Sequence, residues 1–339
     1  MNQPLESTCP ACHSGTIKTL WTVSAKESAQ HFVRAESDTK RNADLATHIA
    51  KLWGQATSSV VNCENCGLGF AQPFVAGDEQ FYNLAYPGTP GYPVEKWEFS
   101  RTIQDVKKDY SNHIADARCL ELGSGVGNFL MKLTEIGIKP ENIVALEYNA
   151  ESLRVLHERG FHGKAAHISE MARETFDLIF MFQVLEHMDD LDGIFSRLSV
   201  LLKKGGSLYL AVPNLSRTNF QEHNNTLLDM PPNHISRWAK SSFEAILKRH
   251  DLHLREFEVE AGSFVSFCLQ DLKYYTLRQS MYPNTLASKA YDARQSLKRK
   301  FALACVAMIY LFRRLPLWLR TSGSIGELGG SVWLKVGRR

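Results

Sequence analysis

The sequence predicts an α/β fold, a mostly parallel, doubly wound sheet with helices on both faces. Three observations predict it. Between residues 118 and 213, short apolar runs alternate with segments of helical period. The helical segments carry their own punctuation, with glycines at 137 and 160 and an acidic start at 189–190. One strand-to-helix junction, CLELGSGVGNFL (119–130), sets glycines at 123, 125 and 127. A parallel sheet keeps its ligand crevice at such a junction.

In order, RCLEL (118–122) reads as a buried strand and NFLMKLTEIG (128–137) as a helix closed by Gly137. IVALEY (143–148) is the next strand, and AESLRVLHERG (150–160) the next helix. FDLIFMF (176–182) is a strand. DDLDGIFSRLSVLLKKGG (189–206) is a helix with Leu191, Ile194, Phe195, Leu198 and Leu202 on one stripe. SLYLAVP (207–213) and the alternating LHLREFEVE (252–260) are strands either side of a helical SFEAILKRH (242–250). Residues 265–320 have helical character, and GSVWLKVGRR (330–339) alternates as a last strand. Upstream, Leu45, Ile49 and Leu52 mark a helix in TKRNADLATHIAKLWGQ (39–55), and a segment rich in Tyr, Pro and Gly turns helical near Glu95–Tyr110. The expected units are 1–75, a connecting or lid segment 76–115, a core 116–264, a helical insertion 265–328 and a closing strand 329–339.

Composition narrows the function classes. A net charge of +3 is too mild for a protein that works on nucleic acid by charge alone. No apolar run approaches the roughly 20 residues that span a bilayer. MNQPLESTCP lacks the basic-then-apolar layout of a secretory leader. Seven cysteines, four of them in two CxxC pairs, favour a reducing compartment and a metal site over disulfides. The expected location is cytoplasmic, with the inner membrane face as an alternative.

CPACHSG (9–15) and CENCGLGF (63–70) are two knuckles, each followed closely by a glycine that would let the chain turn back. Tetrahedral Zn²⁺ takes four thiolates, so Cys9, Cys12, Cys63 and Cys66 are the expected ligands of a structural zinc in a small N-terminal zinc-ribbon domain. Independent redox cysteines are the alternative, and His13 could replace one ligand. Cys119, Cys268 and Cys305 sit in apolar contexts as buried thiols.

The glycine loop departs from the dinucleotide fingerprint, its third glycine falling one place early to give E-x-G-x-G-x-G. Glu147 follows Gly127 by twenty residues, at the end of the next strand, where a carboxylate can accept from two ribose hydroxyls. ELGSGVGN, LEYN, FDLIFMFQVLEHMDD and LLKKGGSLYLAVPN, in that order, resemble the successive motifs of class I S-adenosylmethionine-dependent methyltransferases over about residues 116–260. The resemblance implies a Rossmann-like, seven-stranded sheet whose last strand is antiparallel. It also implies S-adenosyl-L-methionine on the loop, with Glu121, Gly123, Gly125, Gly127, Glu147 and Gln183 as its residues. GKAAHIS (163–169) lacks the acidic residue that many members carry near the adenine.

Methyl transfer to a hydroxyl needs a base. His187 and Glu186 follow the third main strand, and His234 lies in DMPPNHISRW (229–238), which resembles a Pro-Pro-x-His-x-x-x-Trp stretch of a bacterial subset. Either histidine is a candidate base, with Glu186 to orient it; the alternative for each is a packing role. Phe81, Tyr82 and Tyr86 resemble the family's Phe-Tyr-x-x-x-Tyr segment, with Tyr86 a lid candidate. Together with the knuckles, these motifs resemble bacterial enzymes of sugar or surface-polysaccharide modification. The implied acceptor is a small molecule, a nucleotide-linked or lipid-linked saccharide. An RNA acceptor gripped by the zinc ribbon, or a non-catalytic scaffold, are the competing readings.

KRKFALACVAMIYLFRRLPLWLR (298–320) flanks a twelve-residue apolar run, Phe301–Phe312, with basic clusters. The run is apolar nearly all round, which favours a roof on the acceptor pocket or a dimer contact over a helix on a membrane surface. The oligomeric state stays open.

Overall fold

The computed structural model describes residues 8–86, 91–110, 114–171, 175–226, 230–291 and 296–338. Asp229 of the Pro-Pro motif and Arg339 of the closing segment lie outside them. The strands are β1 Ile17–Ser24, β2 Thr57–Cys63, β3 Gly69–Gln72, β4 Cys119–Leu122, β5 Ile143–Leu146, β6 His162–Lys164, β7 Phe176–Phe182, β8 Leu202–Pro213, β9 Ser236–Arg237, β10 Leu252–Val259 and β11 Ser331–Arg338. The helices are α1 Ala25–Phe32, α2 Thr39–Trp53, α3 Glu79–Ala85, α4 Trp97–Tyr110, α5 Asn128–Glu135, α6 Ala150–Glu158, α7 Leu191–Leu201, α8 Leu215–His223, α9 Lys240–Arg249, α10 Phe264–Ser280, α11 Leu286–Tyr291 and α12 Ser296–Thr321.

The main sheet has seven strands in the order β10-β11-β8-β7-β4-β5-β6. β4 to β8 pair in parallel, and β11 runs antiparallel to both β8 and β10. Strand β7 shows why both faces are covered. Leu178, Phe180 and Phe182 join Phe99 and Phe129 on one side, while Ile179 and Met181 join Leu120, Leu122 and Phe195 on the other. Apolar residues on both sides of a period-two element leave no face for water. β4 lies between β5 and β7, so the strand order reverses there and opens a crevice at the carboxyl end of β4.

Two boundaries differ from the sequence reading. The helix expected over 189–206 ends at Leu201, and Leu202–Gly206 opens β8. Leu202 pairs with Phe176 there, so its apolarity serves the sheet. The last strand is buried at seven of its eight positions. It sits inside the sheet, and even Lys335 is buried, facing Asp105 and Asp109 at 2.6 Å each.

The cysteine-bearing segment is woven into the rest. β1, β2 and β3 form a second sheet that ends on β9, a strand from residues 236–237. Cys9, Cys63, Cys66 and Phe70 share one apolar cluster with Leu120, Phe195 and Trp238.

Candidate active site and cysteine centre

After Leu122 the chain turns through Gly123 and Gly125 at φ of 68° and 53°. A Cβ on Gly123 would stand 2.4 Å from the Val184 side chain, and one on Gly125 2.9 Å from the Tyr92 ring. Only glycine meets both the backbone angle and the close approach. Gly127 then caps α5 at φ 79°.

The loop floors a pocket of about 100 Å³ whose walls include Glu121, Ser124, Gln183, Lys96 and Tyr92. Glu121 is 3% exposed. Burial raises its carboxyl well above the usual range, with Lys96 pulling the other way and Glu147 adding to the rise. Glu121 Oε2 and Ser124 Oγ have no hydrogen-bond partner among the described residues. Orphaned polar atoms in a pocket wall mark where a ligand completes the bonding.

Glu147 lies one residue past β5. Its Oε2 accepts from the Gly125 N–H at 2.7 Å, and its Oε1 from the Asn149 N–H at 2.8 Å. A carboxylate has about four lone-pair sites, so two remain for a ligand's hydroxyls. Gln183, at φ 58°, donates from Nε2 to Ser331 Oγ at 3.1 Å and Glu98 Oε1 at 3.3 Å. That fixes the pocket wall to β11.

One residue on, Val184 touches Gly123, and a single 3-10 turn then carries Glu186 and His187. The sequence could not choose between the two histidines; the fold puts them in contact. Their rings meet edge to face with centroids 4.7 Å apart. His187 Nδ1 is 2.7 Å from the Asn233 carbonyl, which only accepts, so Nδ1 carries the proton and Nε2 is the basic nitrogen. Nε2 stands 3.9 Å from the buried Glu186 carboxylate. Tyr82 OH lies 3.2 Å from Nδ1, and Tyr82 stacks on Tyr86. Burial pushes the Tyr82 hydroxyl upward, so it stays protonated. Trp238 of the same motif is 1% exposed, stacked on Phe243, and anchors its loop.

The four cysteine sulfurs lie within 4.8 Å of one another. Cys9 and Cys66 are 3.6 Å apart and Cys12 and Cys63 3.5 Å. Four sulfurs 2.3 Å from one Zn²⁺ stand about 3.8 Å apart, so the set fits a tetrahedral ion. The Cys66 hydrogen bond pulls the Cys9 thiol well below the ordinary thiol range. The second knuckle turns at Gly67, φ 77°, but the first turns at His13, φ 61°, not at Gly15. His13 bonds to Asp192 at 3.0 Å instead of joining the sulfurs.

This centre is tied to the His234 loop by a short run of contacts. Cys66 O accepts from Ser241 Oγ, Ala71 N–H donates to Ile235 O, Gly77 N–H to Pro232 O and Ser28 Oγ to Pro231 O. Ile235 N–H in turn donates to Glu186 O. Sequence reading missed Tyr92, in the Tyr-, Pro- and Gly-rich stretch, Lys96, at the start of the helical segment that follows it, and Asn233, which acts through its carbonyl and has no side-chain signature.

Residues 96–256 match a family model described as a methyltransferase domain. The matched stretch is just under half of the chain, and it is similar to methyltransferase domains. A ubiquinone biosynthesis O-methyltransferase of Rhodopseudomonas palustris (strain BisA53) is 27% identical over 134 residues, covering 38% of this chain and 50% of that protein. One from Bradyrhizobium sp. (strain ORS 278) is 26% identical over 113 residues, 32% and 45% of the two chains. The chain thus spans about half the length of the curated relatives it matches. Among solved structures, coclaurine N-methyltransferase bound to N-methylheliamine and SAH overlays at a TM-score of 0.43 and 14% identity, over 71% of this chain and 72% of that one. Magnesium protoporphyrin IX methyltransferase from Synechocystis PCC 6803 overlays at 0.38 and 12%, over 50% and 82%.

Proposed function

We propose that this chain is an S-adenosylmethionine-dependent methyltransferase acting on a hydroxyl of a small molecule. The observation that carries the reading is the glycine loop beneath a pocket whose wall holds the orphaned Glu121 oxygen. The residues fit the cofactor: Glu121 for its ammonium group, the side-chain-free loop for its methionine part and Glu147 for its ribose. When bound, the cofactor supplies an electrophilic methyl group. The chain's own work is then positioning and proton removal. His187 Nε2 takes the acceptor proton, Asn233 O holds the ring in the tautomer that permits it, and Glu186 stabilises the imidazolium. His234, in ring contact with His187, completes the wall on that side.

The matched relatives are named for O-methylation, which supports a hydroxyl acceptor and not specifically a saccharide. A second cavity, of about 700 Å³, lies beside Met230 of the His234 loop; Glu27, Gln30, Glu222 and Arg278 line it together with apolar walls from Trp21, Met281 and Tyr282. Mixed walls of this kind suit an acceptor with both a ring or chain and hydroxyl groups, so saccharides and phenols are tested side by side. The four cysteines hold a structural zinc in this reading, closed and away from the chemistry.

The test supplies methyl-tritiated cofactor with nucleotide sugars, lipid-linked saccharides, phenols and RNA. Label in a small-molecule hydroxyl is expected. Label in RNA alone, or in nothing despite cofactor binding, contradicts the proposal.

A further inference from the structure

Helix α12 meets the rest of the chain along one side. There Val306, Tyr310 and Trp318 are buried. Arg314 grips Asp271 through two hydrogen bonds of 2.8 and 2.7 Å, and the Trp318 indole donates to the same carboxylate at 2.7 Å. On the opposite side Leu297, Phe301, Met308, Phe312 and Leu319 are each 60–83% exposed. At 100° per residue these five, with exposed Ala304, Leu311 and Leu315, fall in one stripe about 100° wide and ~33 Å long. The helix has two apolar faces, and the fold covers one. An uncovered patch of this extent is an interaction surface.

Charge selects the occupant. Residues 296–321 contain six cations and no acid. Lys298, Arg299, Lys300, Arg313 and Arg320 are exposed. A second copy packed stripe to stripe would set cations against cations, with no acid on the helix to receive them. An anionic lipid surface satisfies both features, taking the apolar stripe at the acyl boundary while the long basic side chains stay at the phosphates.

By length and composition Leu297–Glu327 could also cross a bilayer. Crossing would break the buried Arg314–Asp271 pair and carry Arg313 and Arg314 into hydrocarbon. We infer that α12 is a membrane-surface contact, lying in the plane of an anionic bilayer with its outer stripe inserted. This inference stands independently of the methyl-transfer reading.

The test is co-sedimentation of the full zinc-loaded chain with vesicles of phosphatidylcholine, with and without phosphatidylglycerol. The wild-type chain should pellet with the anionic vesicles and remain in solution with the neutral ones. Replacing Lys298, Arg299 and Lys300 together by Ser should weaken partitioning on the order of a hundredfold. Phe301→Glu with Met308→Glu should abolish it, while circular dichroism and cofactor binding match wild type. Equal pelleting with both vesicles overturns the anionic assignment. No pelleting with either, or a vesicle-free dimer that the Glu variant turns to monomer, overturns the membrane contact.

Discussion

Glu147 accepts the backbone amide of Gly125 at 2.7 Å, so a carboxylate at the end of β5 pins the glycine loop at the end of neighbouring β4. A hydrogen bond to an ionised group contributes about 1.5–3 kcal/mol. Glu147→Ala removes that anchor and a ribose ligand together. Cofactor affinity should fall by at least tenfold, measured by fluorescence titration, with thermal stability falling modestly.

Glu121 gives a pH-dependent prediction. Burial holds its carboxyl well above the usual range in the unliganded protein, which favours the protonated form there. A cationic ligand favours the ionised form. Cofactor binding should therefore release a proton, and affinity should rise with pH through the unliganded value. Calorimetry in buffers of different ionisation enthalpy reads the release directly. Glu121→Gln should abolish it; an equal release from that variant would place the proton elsewhere.

The histidine pair separates by kinetics. His187 has its tautomer fixed by Asn233, so His187→Gln should lower kcat about 10²–10⁴-fold with KM little changed. His234→Gln should raise KM more than it lowers kcat. The reverse pattern would exchange their roles.

The cysteine centre reaches the same loop through β3 and β9. Cys63→Ser should lose one equivalent of zinc, read by metal analysis, and lower both stability and kcat. A variant that keeps full activity without metal would break the proposed link.

Lys335 is a stability probe. It and Asp105 are 6% and 4% exposed, with Asp109 completing the group. Lys335→Met leaves the buried Asp105 charge with only the Tyr209 hydroxyl at 2.9 Å and Arg101 at 3.5 Å, at a cost of about 3 kcal/mol, the low end for breaking a buried pair. Burial raises the Asp105 carboxyl, but Lys335 and Tyr209 hold it below its ordinary value overall. Its contribution is therefore present above about pH 4 and lost as pH falls through the folded value. Lys335 is opposite: burial lowers it, the two aspartates raise it further, and its contribution is lost as pH climbs past the ordinary lysine value. Chemical denaturation across pH measures both limbs.

Much of the core was legible because β4, β5 and β7 are rich in apolar residues on both faces and the helices after β4 and β5 carry glycine stops at 137 and 160. The glycine loop was legible for a related reason, since three alternate glycines have few other uses. What stayed hidden was long-range. Leu202 reads equally as the end of an apolar helical stripe or the start of a strand, and only its pairing with Phe176 decides. His187 and His234 are 47 positions apart, and the Asn233 carbonyl joins them through backbone alone. The stripe on α12 looked apolar all round because sequence shows composition, whereas packing divides the helix into a covered and an uncovered side.

The most direct measurement is isothermal titration of S-adenosylhomocysteine into the wild-type chain and Gly125→Arg. The wild type should bind one equivalent, and the variant, its side chain filling the pocket, should give no heat. A wild type that fails to bind, or a variant that binds as tightly, would contradict the assignment of the Gly123–Gly127 loop.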